Sequence, residues 1–194
     1  MSVVLEESSQ QKDRRRRVIK AALEMADEGG YEAVHMRQVA ERSGVALGTI
    51  YRYFNSKDQM LLAGLAEWTA AVRDDLLSTQ PRGSSPAERL ATVLCEASHR
   101  TDEVPVLMGA LVTALASTDE EVASSRAKIT TAWGDIVDHA VKAQPVGGVD
   151  LDAVKRVIGH VWFSAICAWV SGQAPTGSVC EELRFVSYTL LDRT

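Results

Sequence analysis

The segment Met36–Lys57, MRQVAERSGVALGTIYRYFNSK, constrains the fold of this chain more than any other stretch. Its apolar residues recur at the three- and four-residue spacing of amphipathic helices, and Gly44 separates two such runs. The pattern predicts a helix, a sharp turn at the glycine and a short second helix. The pair would pack through a small apolar core of Val39, Ala40, Val45, Ile50 and Phe54.

Apolar spacing alone fits an ordinary helical hairpin inside a protein core equally well. The polar residues of the second helix favour a DNA-binding helix-turn-helix, whose second helix enters the major groove. Thr49 and Arg52 suit contacts with base edges, and tyrosine hydroxyls suit phosphates. Gly48 leaves room for the DNA backbone. The candidate DNA-binding residues are Arg14, Arg15, Arg37, Gln38, Ala46, Leu47, Gly48, Thr49, Tyr51, Arg52, Tyr53 and Lys57.

The same region resembles the TetR family of bacterial repressors. The resemblance rests on Gly30-Tyr31-Glu32-Ala33, Arg37, Val39-Ala40, Gly44-Val45, Gly48-Thr49-Ile50-Tyr51, Tyr53-Phe54 and Lys57. It departs from the family pattern at His35 and Ala46, where a hydroxyl residue is usual. The resemblance implies an N-terminal three-helix DNA-binding domain, placed here in residues 1–56, and a larger C-terminal ligand-binding and dimerisation domain in residues 57–194.

Helical periodicity without period-two segments predicts an all-α fold of about nine helices. Helix starts are indicated by Ser56 with Gln59, by Ser85 with Pro86, by Thr118 with Glu121, and by Asp150. The first helix is expected from about Asp13, the third over about Leu47–Phe54, and a break at 144–148.

The charge of the chain is divided unevenly along its length. The net charge is −5, with +1 in residues 1–60 and −6 in residues 61–194. Six basic residues fall within residues 12–20, which indicates a phosphate-facing N-terminus. Arg14–Arg17 fit either a flexible arm reaching DNA or a solvated face of the first helix, and the sequence does not choose between them.

No catalytic motif, metal-ligand spacing or glycine-rich phosphate loop is evident, so the sequence predicts neither an enzyme nor a cofactor. Cys95, Cys167 and Cys180 are expected to be buried thiols in a reducing cytoplasm. No run of about eighteen apolar residues occurs, so no membrane partner is expected.

The stretch Val157–Val170 is apolar almost all round and therefore needs cover on more than one side. Either a second subunit or a ligand would supply that cover. A subunit would contact small and apolar residues of the last two helices, Ala165, Ala168, Leu183, Val186 and Leu190. A homodimer carries two recognition helices and suits palindromic operator DNA. The family resemblance also implies a ligand pocket, with candidates that fit a plain core as well: Trp68, Met108, Leu111, Trp133, Val137, Trp162, Phe163, Ile166 and Trp169.

A closer resemblance, to actinobacterial TetR-type repressors of cholesterol catabolism, rests on Arg156-Val157-Ile158, Val161-Trp162, Ser164 and Ala168-Trp169. It implies a coenzyme A thioester of a sterol intermediate as effector. The leading hypothesis is therefore a dimeric repressor released by a hydrophobic small molecule. Two alternatives stay open, a small-molecule-binding enzyme with a vestigial DNA module and an architectural DNA-binding protein without a ligand.

Overall fold

The structure is a computed structural model that describes residues 9–142 and 148–192. These residues form nine α-helices and no strand, which confirms the predicted all-α fold. The expected break at 144–148 falls almost entirely outside the described residues. The helices are α1 (Ser9–Ala33), α2 (Met36–Ser43), α3 (Leu47–Ile50), α4 (Lys57–Leu77), α5 (Pro86–His99), α6 (Pro105–Leu115), α7 (Ala123–Val141), α8 (Leu151–Val170) and α9 (Ser178–Leu191).

The first three helices form the predicted helix-turn-helix unit. Gly44 ends α2 in the left-handed conformation (φ 63°), and its N–H bonds back to the last turn of the helix. Glycine adopts this conformation without steric cost, which explains why it stands at the turn. The predicted core residues Val39, Val45, Ile50 and Phe54 are buried, whereas Ala40 is half-buried.

Two boundaries in this unit differ from the sequence prediction. Helix α1 begins at Ser9 rather than near Asp13, so the arginines 14–17 lie inside a helix, and the flexible-arm interpretation of them is wrong. Helix α3 ends at Ile50, and residues 51–53 continue as a turn whose N–H groups bond back to the helix. The α2 and α3 caps, His35 and Ala46, accept no side-chain hydrogen bond, as their missing hydroxyls predict.

Helix α4 connects the N-terminal helices to the rest of the chain and packs against α1, α6 and α7. Ser56 caps it by accepting a hydrogen bond from the Gln59 N–H, as predicted. A Cβ added at Gly64 would lie 2.8 Å from a methyl group of Leu23 on α1. This glycine therefore lets α1 and α4 approach closely.

The caps of the C-terminal helices are partly as predicted. Ser85 caps α5, with Pro86 at its first position, and Asp150 caps α8. Thr118 does not open a helix: Asp119 accepts the N–H of Glu121 and caps a short 3-10 turn, Glu120–Val122, that precedes α7. Aspartate competes well with threonine for this role because its carboxylate accepts strong hydrogen bonds.

The prediction of three free thiols is wrong for two of them. Cys95 on α5 and Cys180 on α9 form a disulfide with Cα atoms 4.5 Å apart, and Cys167 is free. The guanidinium of Arg184 lies 3.8 Å and 3.7 Å from the two sulfurs. The residues are 85 positions apart, so only the packing of α5 against α9 brings them together.

Helix α8 is, among the described residues, the one helix long and apolar enough to cross a membrane by length and composition. The expectation that no segment meets this test is therefore wrong. In the fold, α8 packs against α6, α7 and α9. Core helices of globular proteins commonly have this composition.

The predicted dimer surface is wrong for three of its five residues. Leu183 is fully buried, and Val186 and Ala165 are each only 8% exposed, because they pack inside the protomer. Ala168 and Leu190 are half-buried, so their place in an interface stays a prediction. The outward apolar side chains of these two helices are instead Val157, Tyr188 and Phe185, the last 71% exposed.

Candidate DNA-binding surface and ligand cavity

The outer surface of the helix-turn-helix carries the predicted DNA-contacting residues. Tyr51 and Arg52 are exposed, and Thr49 and Tyr53 are half-buried. A Cβ added at Gly48 would meet nothing within 4 Å, so nothing in the described protein requires a glycine there. The expectation that this glycine leaves room for the DNA backbone stays a prediction. Ala46 and Leu47 begin the same helix, and Arg37 and Gln38 are exposed on the first turn of α2.

Three of the predicted DNA-binding cations already have partners in the protein. Arg15 forms an ion pair with Glu67 of α4, and its guanidinium lies 5.4 Å from the ring centre of Phe54. Arg14 donates to Gln10 at 3.5 Å. The Lys57 ammonium donates to the Tyr31 carbonyl at 3.1 Å.

The end of α1 is fastened to the start of α4. The Lys57 ammonium lies 3.7 Å from the ring centre of Tyr31, and the Tyr31 hydroxyl donates to Asp58 at 2.6 Å. Burial and this hydrogen bond raise the pKa of Tyr31 to about 12. Helices α1–α3, here called the DNA-binding head, are therefore tied to the N-terminal turn of α4.

A second set of polar contacts joins this junction to the turn before α7. Glu121 accepts hydrogen bonds from the amide groups of Asn55 and Gln59, each at 2.6 Å, and Ser56 donates to Asp119 at 3.3 Å. Sequence reasoning missed this contact because an acidic residue in a turn has the pattern of a solvent-exposed residue. We call these three hydrogen bonds the head–body contact.

An apolar cavity of about 360 Å³ lies between α7 and α8. This volume is within the range of small-molecule sites. Four predicted ligand-binding residues line it: Trp133, Val137, Trp162 and Phe163. The remaining lining residues, most of which the sequence did not single out, are Leu115, Arg126, Ile129, Thr130, Gly134, Lys155, Arg156, Ile158, Gly159 and His160.

The other five ligand-binding candidates do not line this cavity. The prediction that they line the ligand pocket is therefore wrong for this cavity. Met108, Leu111, Ile166 and Trp169 are buried in the core. Trp68 is half-buried at a separate groove between α1 and α4. Apolar residues of a helical core and of a pocket wall share one sequence pattern, and this is why spacing did not separate them.

Two glycines in the cavity wall, Gly134 and Gly159, lie inside regular helices. A Cβ at Gly159 would meet nothing within 4 Å, and one at Gly134 would make only ordinary contact, 3.7 Å from Lys155. Glycine inside a helix costs about 1 kcal/mol relative to alanine. Packing within the described protomer does not require a glycine at either position, and both glycines leave space at the cavity wall.

Three cationic side chains line the cavity. Lys155 is paired with Asp138 at 2.8 Å, and that hydrogen bond raises the pKa of Lys155. Arg126 donates to the carbonyl of Ser117. Arg156 is exposed and makes no hydrogen bond or ion pair with the described residues. The cavity thus combines apolar walls with cations that suit an anionic group.

A larger groove of about 670 Å³ lies between α4 and α7. Its walls combine alanines with charged side chains, among them Arg15, Glu67, Arg73 and Lys128. Apolar ligands are held by walls of large aliphatic and aromatic side chains, which this groove lacks. The smaller cavity is therefore the better candidate for a hydrophobic ligand.

Comparison with known proteins identifies the family. Residues 18–63 match the family model for bacterial regulatory proteins of the tetR family, and residues 83–190 match the tetracyclin repressor-like C-terminal domain. The chain belongs to the TetR family. It is a DNA-binding transcriptional regulator of the helix-turn-helix type, which confirms the resemblance seen in the sequence.

The chain matches two known repressors over most of its own length and most of theirs. The chain is 35% identical to the HTH-type transcriptional repressor KstR of Rhodococcus jostii, covering 95% of this chain and 85% of that protein. It is 31% identical to KstR of Mycobacterium tuberculosis, covering 91% of this chain and 80% of that one. These matches confirm the resemblance to actinobacterial repressors.

Solved structures agree on the fold. A TetR transcriptional regulator from Rhodococcus sp. RHA1 superposes with a TM-score of 0.83 at 25% identity, covering 95% of this chain and 99% of that one. FadR of Thermus thermophilus, solved in complex with lauroyl-CoA, superposes with a TM-score of 0.74 at 20% identity, covering 93% and 96%. The latter likeness shows the fold alone.

Proposed function

We propose that this TetR-family regulator is a homodimeric repressor that binds a palindromic operator and is released by a hydrophobic coenzyme A thioester from lipid or sterol catabolism. The observation that carries the proposal is the apolar cavity between α7 and α8 with cations at its wall. It lies in the same chain as an exposed DNA-binding helix, and the head–body contact joins the two regions.

The ligand class follows from the cavity together with the relatives. Apolar walls suit an acyl chain or sterol ring system, and Arg126, Lys155 and Arg156 suit phosphate groups. Two similar structures support a thioester as the effector: FadR of Bacillus subtilis was solved with stearoyl-CoA, and FadR of Thermus thermophilus was solved with lauroyl-CoA. The sequence resemblance to cholesterol-catabolism repressors supports a sterol acid as its acyl part.

The dimer proposal rests on the outward face of α8 and α9. Val157, Tyr188 and the largely exposed Phe185 present apolar surface that packing within the protomer leaves uncovered. Half-buried Ala168 allows a second helix to approach. An isologous contact through this face would hold two DNA-binding heads for half-sites about one DNA turn apart.

The route from ligand to DNA runs through residues 117–126. Arg126, at the cavity, holds the Ser117 carbonyl, and Glu121 between them holds Asn55 and Gln59 beside the head. A ligand phosphate that binds Arg126 competes with Ser117 and displaces this segment. Ligand then favours the displaced arrangement, and only such a difference in affinity changes operator binding.

Two alternatives are less well supported. The matched relatives are transcriptional regulators, which favours a regulator over an enzyme with a vestigial DNA module. An architectural DNA-binding protein without a ligand does not need an apolar cavity. Nor does it need glycines in the helices around that cavity at positions where packing does not require them. A cytoplasmic location follows from the proposed role, since operator DNA is there.

The test begins with genomic DNA. Purified protein is incubated with sheared DNA from the host, and retained fragments are sequenced, with the Arg52→Ala variant as control. An enriched palindrome near lipid or sterol catabolic genes, released by coenzyme A thioesters in a band-shift assay, is the expected result. A lack of enrichment would refute the operator, and enrichment that no thioester reverses would refute the proposed effector.

A further inference from the structure

Two tryptophans, one half-buried and one buried, lie side by side at the cavity, and their indole N–H groups have no acceptor among the described residues. The rings of Trp133 on α7 and Trp162 on α8 have centroids 5.4 Å apart. Both residues line the cavity, and Trp162 is only 7% exposed. The Nε1 atom of each indole is buried and has no hydrogen-bond partner among the described residues.

A buried N–H group without an acceptor is costly, so native structures rarely contain one, and two adjacent examples need an explanation. Other indoles in this chain do not share the feature. The Nε1 group of Trp169, which does not line the cavity, donates to the Thr176 hydroxyl at 3.3 Å. Both unpaired indole donors thus belong to residues that line the cavity; two other buried donors without a partner among the described residues, Arg89 Nη2 and Ser178 Oγ, belong to residues that do not line it.

We propose that Trp133 and Trp162 form a two-donor site for an acceptor oxygen on the effector. The effector would place its apolar part against the aromatic walls, its anionic part at Arg126 and Arg156, and a carbonyl or ether oxygen between the two indoles. This inference rests on the proposed effector class and adds a requirement to it: the ligand carries an uncharged acceptor oxygen inside the cavity.

The requirement is a basis for selectivity. A purely aliphatic ligand that fills the same space leaves both N–H groups unpaired, whereas an oxygenated ligand supplies the missing acceptor, which favours the oxygenated ligand. Tryptophan donates but does not accept, so the site discriminates between an acceptor and a donor. Two acceptors meet the requirement, the thioester carbonyl itself and an oxygen on the acyl or sterol part.

The direct test observes the indole N–H groups of the full-length protein. Protein labelled with ¹⁵N-tryptophan gives indole signals that single Trp→Phe variants assign. The first ligand pair is lauroyl-CoA and dodecyl-CoA, a thioether without the carbonyl oxygen. The second pair is a coenzyme A thioester of a sterol acid that carries an oxygen substituent on its ring system, and the same thioester without that oxygen. We expect the Trp133 and Trp162 signals to move downfield with the oxygenated member of one pair and not with its partner.

Affinity supplies a second readout. Loss of one neutral hydrogen bond corresponds to about a three- to tenfold weaker affinity. We expect the wild-type protein to prefer the oxygenated member of the discriminating pair by at least that factor, and Trp133→Phe and Trp162→Phe to reduce the preference. Trp169→Phe removes a partnered indole outside the cavity and should keep the wild-type preference.

The outcomes separate the two proposals. If a thioester binds and releases operator DNA but both indole signals stay unchanged and neither ligand pair is discriminated, the two-donor site is refuted while the proposed function stands. If no thioester binds, the proposed effector class is refuted and the two-donor site is refuted with it. The identity of the discriminating pair shows which oxygen the indoles hold.

Discussion

Gly159 offers a sharp test of the cavity because one residue separates a stability effect from a ligand effect. Its added Cβ would meet nothing within 4 Å, so Gly159→Ala should gain the helix propensity of alanine, about 1 kcal/mol, without a steric cost. A 194-residue chain has an unfolding entropy of about 0.4 kcal/mol/K near its midpoint. The expected rise in Tm is therefore about 2.5 °C.

Gly159→Leu should reach a similar Tm, since leucine is also a good helix former, but its side chain extends into the cavity opening. Scanning calorimetry measures Tm, and a band-shift titration measures release of operator by a coenzyme A thioester. We expect the leucine variant to need at least about tenfold more effector, and the alanine variant to respond nearly as the wild type does.

Gly109→Ala provides the matched control. Gly109 lies inside α6, its added Cβ would make only ordinary contact at 3.9 Å with Val170, and it does not line the cavity. It should raise Tm in the same way and leave effector release unchanged. A fall in Tm for Gly159→Ala would show that this side of α8 is covered, and an unchanged effector response in Gly159→Leu would refute the cavity as the ligand site.

Three further predictions test other parts of the molecule. Gly48→Ala should fold normally, because its Cβ meets nothing in the protein, but bind operator about tenfold more weakly in a band-shift assay; equal binding would place the DNA backbone elsewhere. Glu121→Ala should imitate the effector by weakening operator binding about three- to tenfold in its absence and leaving less further release when it is added, whereas Glu120→Ala, with the same change of charge, should behave as the wild type does. Reduction of the Cys95–Cys180 disulfide, or its replacement by two serines, should lower the free energy of unfolding by about 3 kcal/mol in urea titrations, and identical curves with and without reductant would show that the two thiols are not paired.

Local sequence patterns predicted the helices and the DNA-binding head well. A glycine turn, a serine cap and an apolar repeat act over a few residues, so Gly44, Ser56 and the core around Val39 could be recognised without a structure. The error at Thr118 is of the same local kind, since a neighbouring aspartate supplied the stronger cap.

Features that depend on packing between distant segments were not accessible in this way. Cys95 and Cys180 are 85 residues apart, and nothing in their spacing shows that α5 and α9 are neighbours. Leu183 was assigned to a subunit interface because an apolar helix face has the same pattern whether its partner is another subunit or the same chain. Trp133 and Trp162 were candidate pocket residues, but their unpaired N–H groups required coordinates.

The contacts around α4 show how a small effector energy could be enough. The DNA-binding head is tied to α4 by the Tyr31–Asp58 hydrogen bond and by Lys57 over the Tyr31 ring, so the head and the start of α4 would move as one unit. The link from that unit to the turn before α7 consists of polar contacts centred on Glu121, which is exposed. Exposed polar contacts contribute at most about 1 kcal/mol each. Coupling between an effector and DNA is typically about 1–3 kcal/mol, so an effector that prefers the displaced turn by that amount can break this link without disturbing the packing of either part.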